Sequence, residues 1–285
     1  MLRFHWKSPL AAILLLSIAP AGWSETTALN FFEKPLEFPS SQAFWGQYQT
    51  WTVFDHVLNQ GDSPDFAHSL DTGTRFAVYE SPTMTVSGLI REVFQFKVHP
   101  DSSLLFNPRA LVSDLRLDVG FPLGEGSAVV EYRHDCKHEV DTLVLRDAVH
   151  DALGLSYYPF PREGAVVCRL GGEFNLPKIY QTITDEPDLG ALSAEVSAEI
   201  PSGEGPRFYG ELKSSLIFRK AGTAVAVSSF WNVDARATCG VILPGKNGGL
   251  RVYLRIDRTT DPWVDHRAEP SLTWTLGLGP VLEGG

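Results

Sequence analysis

The sequence predicts an all-β protein, an antiparallel up-and-down transmembrane β-barrel of about twelve strands. Three observations carry that expectation. A two-residue alternation of apolar and polar residues recurs down most of the chain, the N-terminus has the layout of a secretory signal, and no later segment is apolar for long enough to span a bilayer as a helix. The alternation is clearest where Gly249 to Asp257 reads Gly-Leu-Arg-Val-Tyr-Leu-Arg-Ile-Asp. An extended strand there puts Leu250, Val252, Leu254 and Ile256 on one face and Arg251, Tyr253, Arg255 and Asp257 on the other.

Residues 1–24 have a short basic start with Arg3, His5 and Lys7, an apolar run from Leu10 to Ile18, and small residues at Ala19, Ala21, Gly22 and Ser24. This is the pattern of a signal peptide, cut after Ala21 or Ser24. Its apolar core is too short for a spanning helix, which needs roughly 18 consecutive apolar residues. A mature chain in the membrane must therefore cross it as strands. Residues 25–41 read as an N-terminal extension and 42–285 as a single barrel domain.

The strands follow in order. Weaker alternation lies at Phe44 to Phe54, Thr74 to Glu80 and Met84 to Val98; Leu111 to Phe121 sets Leu115, Leu117, Val119 and Phe121 against Asp114, Arg116, Asp118 and Gly120. Ala128 to His138 and Leu143 to Tyr157 come next. Ala165 to Leu176 sets Val166, Cys168, Leu170 and Phe174 against Arg169, Gly171, Glu173 and Asn175; Leu189 to Ile200 and Arg207 to Arg219 repeat the pattern, placing Glu195, Glu199, Glu211 and Lys213 on the polar side. Ala224 to Leu243, Gly249 to Asp257 and the stretch from Ser271 to Leu278 complete the set. Polar connectors at Pro122 to Gly126, Pro159 to Gly164, Asp185 to Asp188, Pro201 to Pro206 and Pro244 to Gly249 separate many of them.

Alternation does not by itself say which face points outward, since a soluble lipocalin-like barrel or sandwich in the periplasm also alternates, apolar side in. Apolar-out is favoured by the mixed charges on the polar faces, by aromatic residues such as Phe121, Tyr132, Tyr157 and Trp274 toward strand ends, and by a strand count above that of a lipocalin. The expected location is the outer membrane of a Gram-negative bacterium. Expected partners are its lipids, the barrel insertion machinery and a small polar solute. The net charge of -10, which becomes -12 once Arg3 and Lys7 leave with the signal, argues against nucleic acid. No motif calls for a cofactor. Cys136, Cys168 and Cys239 make an odd count in an oxidising compartment, so at least one is unpaired or intermolecular.

Two sets of residues carry candidate chemistry. The first is the expected lumen lining, which includes Asp114, Arg116, Glu131, Arg133, Arg169, Glu173, Glu195, Glu211, Arg251 and Arg255. These either interlock and close the interior or line a polar pore, with Arg251 and Arg255 near Glu195 or Glu211 as a candidate anion constriction.

The second set lies in Val130 to Asp141, where Tyr132, His134, Cys136 and His138 share the outer face while Glu131, Arg133 and Asp135 point inward. This is the fifth strand and runs toward the cell exterior. His134 and His138 are roughly 13 Å apart at Cα, too far to share one metal ion directly. Cys136 and His134, two residues apart on one face, suit a nucleophile and its base. With a turn at Glu139 to Thr142, His138 faces Leu143, Cys136 faces Leu145 and His134 faces Asp147, which completes a Cys-His-Asp set. The bland alternative is a polar strand end that stitches the hairpin to its loop or to lipopolysaccharide phosphates, with His138 and Asp141 shaping the turn.

The run His134-Asp-Cys136-Lys-His138-Glu-Val-Asp141 resembles the His-x-Ser-Ser-His-x-x-Asp strand end of an uncharacterised family of bacterial outer-membrane barrels, a domain of unknown function. Leu145 to Tyr157, Arg169-Leu-Gly-Gly172 and Phe32-Glu-Lys-Pro-Leu36 are similar in layout to segments of that family. Cys136 and Lys137 stand where the family tends to have serines, and the family's C-terminal aromatic residue has no counterpart here. A weaker likeness is to the outer-membrane phospholipase A family, which implies His134 and Cys136 as base and nucleophile of an outer-leaflet acyl hydrolase, with Asp147 in place of that family's asparagine.

Overall fold

The computed structural model describes residues 38, 40, 42–58, 68–97, 107–139, 147–159, 166–176, 188–200, 205–219, 231–246, 248–259 and 271–284. The signal segment, most of the 25–41 extension, Asp141 and the 143–146 segment lie outside the described residues. The strands are β1 (Ala43–Phe44), β2 (Tyr48–Val57), β3 (His68–Glu80), β4 (Thr85–Lys97), β5 (Asn107–Leu123), β6 (Gly126–Glu139) and β7 (Asp147–Tyr158). They continue as β8 (Val166–Asn175), β9 (Asp188–Ile200), β10 (Arg207–Arg219), β11 (Trp231–Gly245), β12 (Gly248–Thr259) and β13 (Ser271–Gly284).

From β2 to β13 every strand pairs antiparallel with its chain neighbours, and β13 returns to β2 through pairs from Thr275↔Val57 to Gly284↔Tyr48. The result is a closed barrel of 12 strands with no free sheet edge. The short β1 lies against the end of β3, pairing Ala43 with Glu80 and Phe44 with Tyr79.

One end of the barrel carries tight connections. Gly124 and Glu125 alone join β5 to β6, and Gly124 has φ 61°, the left-handed value that a two-residue hairpin with glycine at its first central position requires. Residues 246–247 join β11 to β12. At the other end the connections run over 176–187, 220–230 and 260–270. Outer-membrane barrels keep their short turns in the periplasm. β6 therefore runs outward, as its sequence position predicts.

Two connectors are tighter than the sequence pattern suggests. β5 continues through Pro122 and Leu123, and β11 through Pro244 and Gly245. Proline lacks a donor but is tolerated at a strand's last positions, where little of the ladder depends on it.

The two faces differ as alternation demands. Leu115, Leu117, Val130, Leu155, Leu170, Leu192, Leu212 and Leu276 are all more than 40% exposed, on the outer wall. A soluble protein rarely exposes a continuous apolar belt of this kind. This overturns the soluble periplasmic alternative, in which that face would be the core. Phe121, Tyr132 and Trp274 are likewise exposed on the outer wall.

The interior is filled by polar and charged side chains, with one apolar cluster of Val53, Tyr209, Ile242, Tyr253 and Val281 backed by Trp51. Phe38, from the extension, approaches Gly120 on the inner wall, where a Cβ would come within 3.8 Å of its ring. The three cysteines lie on separate strands and are free thiols.

Candidate functional sites on the two faces of the barrel

The inner face carries a ring of ion pairs. Arg75 meets Asp118 at 2.9 Å, Arg91 meets Asp71 at 2.6 Å and Arg116 meets Asp114 at 2.6 Å. Arg133 binds Asp135 at 2.7 Å on its own strand and Glu173 at 2.9 Å across the sheet. Arg169 joins Glu131 at 2.7 Å and approaches Glu195 at 3.9 Å, while the Ser156 hydroxyl also donates to Glu131. Of the ten residues expected to line the lumen, Arg116, Glu131, Arg169, Glu195, Glu211, Arg251 and Arg255 line the central cavity, and Asp114, Arg133 and Glu173 do not.

Arg251, Arg255, Glu195 and Glu211 all line one interior cavity, but the direct ion pairs of Arg255 are with other carboxylates. Its guanidinium contacts Asp257 at 2.7 Å and Asp55 at 3.2 Å, and Arg236 shares Asp257 at 2.6 Å. Tyr253 donates its hydroxyl to Asp55 at 2.5 Å. Ring closure is the reason: β13 brings β2 to within one strand of β12, so Asp55 reaches Arg255 although the two are 200 residues apart in the chain.

These charges surround a central cavity of about 160 Å³ lined from all of β2 to β13. Its lining holds eight arginine and lysine residues against five carboxylates. Asp55, Asp114 and Asp257 are not part of that lining; they are 3%, 7% and 5% exposed, set into the wall behind the arginines they bind. Arg251 is arranged differently. Its guanidinium carbon lies 4.9 Å from the Tyr209 ring centre and 4.6 Å from that of Tyr253, its Nε donates to the Tyr209 hydroxyl, and it makes no ion pair with a described carboxylate. Arg251 is thus held by two aromatic faces and a phenol oxygen rather than by a carboxylate.

The outer face of β6 carries a smaller polar cluster within the apolar belt. His134 Nδ1 lies 2.8 Å from Asp151 Oδ1, and Tyr132 donates its hydroxyl to the same oxygen at 2.8 Å. The β6–β7 register sets His134 opposite Asp151, Cys136 opposite Val149 and His138 opposite Asp147. The expected pairing of His134 with Asp147 is therefore displaced by four residues. An even displacement keeps the carboxylate on the same face, so the outer-wall acid expected at Asp147 is supplied by Asp151.

Asp151 was legible as an exception, an acid in the apolar set Val149, Leu153, Leu155. The described structure gives Cys136 no hydrogen bond to His134, although both lie on the outer face. His138 sits one step beyond Cys136, opposite Leu111 on β5.

A closed 12-stranded barrel with an apolar outer wall and a charged interior defines an outer-membrane β-barrel protein, placed in the bacterial outer membrane. No protein-family model and no curated protein sequence matches the chain. Among solved structures it is similar to an outer-membrane channel from Pseudomonas putida F1, with TM-score 0.52 and 10% identity over 88% of this chain and 100% of that one. It is also similar to the outer-membrane phospholipase of Salmonella typhi, solved as a dimer with bound calcium, with TM-score 0.49 and 9% identity over 82% and 90% of the two chains. The outer-membrane phospholipase A of Escherichia coli gives TM-score 0.48 and 9% identity over 82% and 95%. At these identities the likeness is one of fold.

Proposed function

We propose that this outer-membrane barrel is of transport type and admits small anionic solutes to its lumen. The reading rests on Arg251, which lines the cavity against the Tyr209 and Tyr253 rings without an ion pair to a described carboxylate, whereas the other lining arginines are each matched by a carboxylate. Rings of arginine and lysine select anions in narrow pores, and Arg251, whose charge no described carboxylate neutralises, is the natural first contact. In planar bilayers under a potassium chloride gradient, the wild type should conduct with a reversal potential favouring chloride. Arg251→Ala should shift that potential toward zero. A silent wild-type bilayer would mean a lumen closed by its own ion pairs and would end the proposal.

A second reading, an outer-leaflet acyl hydrolase, is favoured by one observation, the 2.8 Å contact of His134 Nδ1 with Asp151. With Nδ1 held by a carboxylate, Nε2 is the nitrogen left to act as a base, Asp151 takes the orienting role first assigned to Asp147, and Cys136 supplies the thiol. Hydrolysis of phospholipid in mixed micelles should then disappear in both Cys136→Ala and His134→Ala. Absence of activity in the folded wild type would remove this reading and leave the transport reading untouched.

A further inference from the structure

The outer wall is not evenly covered. Where β7, β8 and β9 run side by side, the outward row Leu155–Gly172–Leu192 and the row Leu153–Phe174–Gly190 place glycine where neighbouring rows carry large side chains. The result is a groove of about 610 Å³ walled by Leu153, Leu155, Phe174, Leu189, Leu192 and Phe218. The depression is shallow and open along the wall rather than enclosed. Leu153, Leu155, Phe174 and Leu192 are each close to half exposed. Because this is the lipid-facing side of a closed membrane barrel, hydrocarbon is what fills it.

The exterior-facing end of the groove meets the polar cluster. Tyr132 pairs directly with Leu153, and Asp151 and His134 form the next outward pair along the same two strands. That step is two residues, or roughly 7 Å. His134 gives its Nδ1 side to Asp151, and its Nε2 has no partner among the described residues. In the neutral ring Nδ1–H is the donor to the carboxylate, which leaves Nε2 as a lone-pair acceptor. The adjacent carboxylate makes the spot unattractive to a bare phosphate. It suits a hydroxyl.

We propose that the groove and the Tyr132–His134–Asp151 cluster together bind one single-chain glycerolipid, its acyl chain in the groove and its free glycerol hydroxyl donated to His134 Nε2. One groove takes one chain, and the acceptor lies where the glycerol begins. Binding here is independent of conduction, which concerns the opposite face, and requires no hydrolysis.

Native mass spectrometry of the barrel in maltoside micelles, titrated with 1-palmitoyl lysophosphatidylcholine, tests the proposal. The wild type should retain one equivalent, and its 2-O-methyl analogue, which has no hydroxyl to donate, should bind about tenfold more weakly. His134→Phe should bind both probes alike, at the weaker level. Gly172→Leu, whose Cβ comes within 3.1 Å of the side-chain terminus of Leu192, should fill the groove and lose the bound lipid. Leu153→Trp should do the same from the groove's edge, and Leu212→Phe on another part of the wall should not. Heat-modifiable gel migration establishes which variants are folded. Equal retention of the hydroxyl and methoxy probes by the wild type, or several equivalents retained regardless of Gly172→Leu and Leu153→Trp, would overturn the proposal.

Discussion

The two faces of β6 solve the same problem in opposite ways. On the inner face Glu131, Arg133 and Asp135 belong to a network in which each charge has an opposite partner beside the central cavity. On the outer face Tyr132, His134 and Asp151 form a cluster bounded by Leu115, Leu117 and Leu153. Polar groups in the lumen are cheap because many neighbours share the cost of desolvation. A carboxylate on the lipid side lies beside hydrocarbon rather than among arginines, so its presence asks for a reason that a lumen arginine does not.

The sharpest way to break the comparison is to remove an inner cation whose anions are buried. Arg255→Met leaves Asp55 and Asp257, with side chains 4% and 7% exposed, short of their shared counter-ion. The expected loss is about 3–5 kcal/mol in urea unfolding from lipid vesicles. No measurable loss would mean that water screens the lumen fully.

The converse change puts a charge on the outer belt. Leu117→Arg should cost about 2–4 kcal/mol in the same assay if this row sits at the bilayer midplane, whereas Thr238→Arg facing the cavity should cost less. Equal costs would erase the distinction between the faces.

Smaller effects test the outer cluster itself. Asp151→Asn replaces the charged acceptor of two hydrogen bonds and should cost about 1.5–3 kcal/mol. Tyr132→Phe, which removes one of the two, should cost about 0.5–1.5 kcal/mol, and the double variant should be less than additive because both act on one oxygen. Strict additivity would show that the cluster does not act as a unit.

Each of the twelve alternating segments overlaps one barrel strand, though not with its exact bounds, and the assignment of Arg251, Arg255, Glu131 and Arg133 to one face and His134, Cys136 and His138 to the other follows from parity alone. Parity survives errors in strand boundaries. It also survives the four-residue difference at the β6–β7 hairpin, because an even displacement leaves every side chain on its own face. What the sequence could not provide was that displacement itself. A tight turn at Glu139 to Thr142 is reasonable for a hairpin, but outward connections in such barrels need not be tight, so Asp151 rather than Asp147 meets His134.

The charge partners were illegible for a different reason. Asp55 and Arg255 become neighbours only when β13 closes onto β2. The glycine-floored groove likewise needs Gly172 of β8 and Gly190 of β9 to line up beside Leu153 and Leu155 of β7.

By itself, the sequence determined strand number, strand direction and the division of residues between two faces, because a pleated strand alternates its side chains with a period of two whatever it pairs with. Only the tertiary structure decided that the apolar face looks outward, that Asp151 holds His134, and that Arg251 lies between Tyr209 and Tyr253. Those outcomes depend on register and on closure of the ring, and hydrogen bonding between strands sets both through contacts that reach across the whole length of the chain.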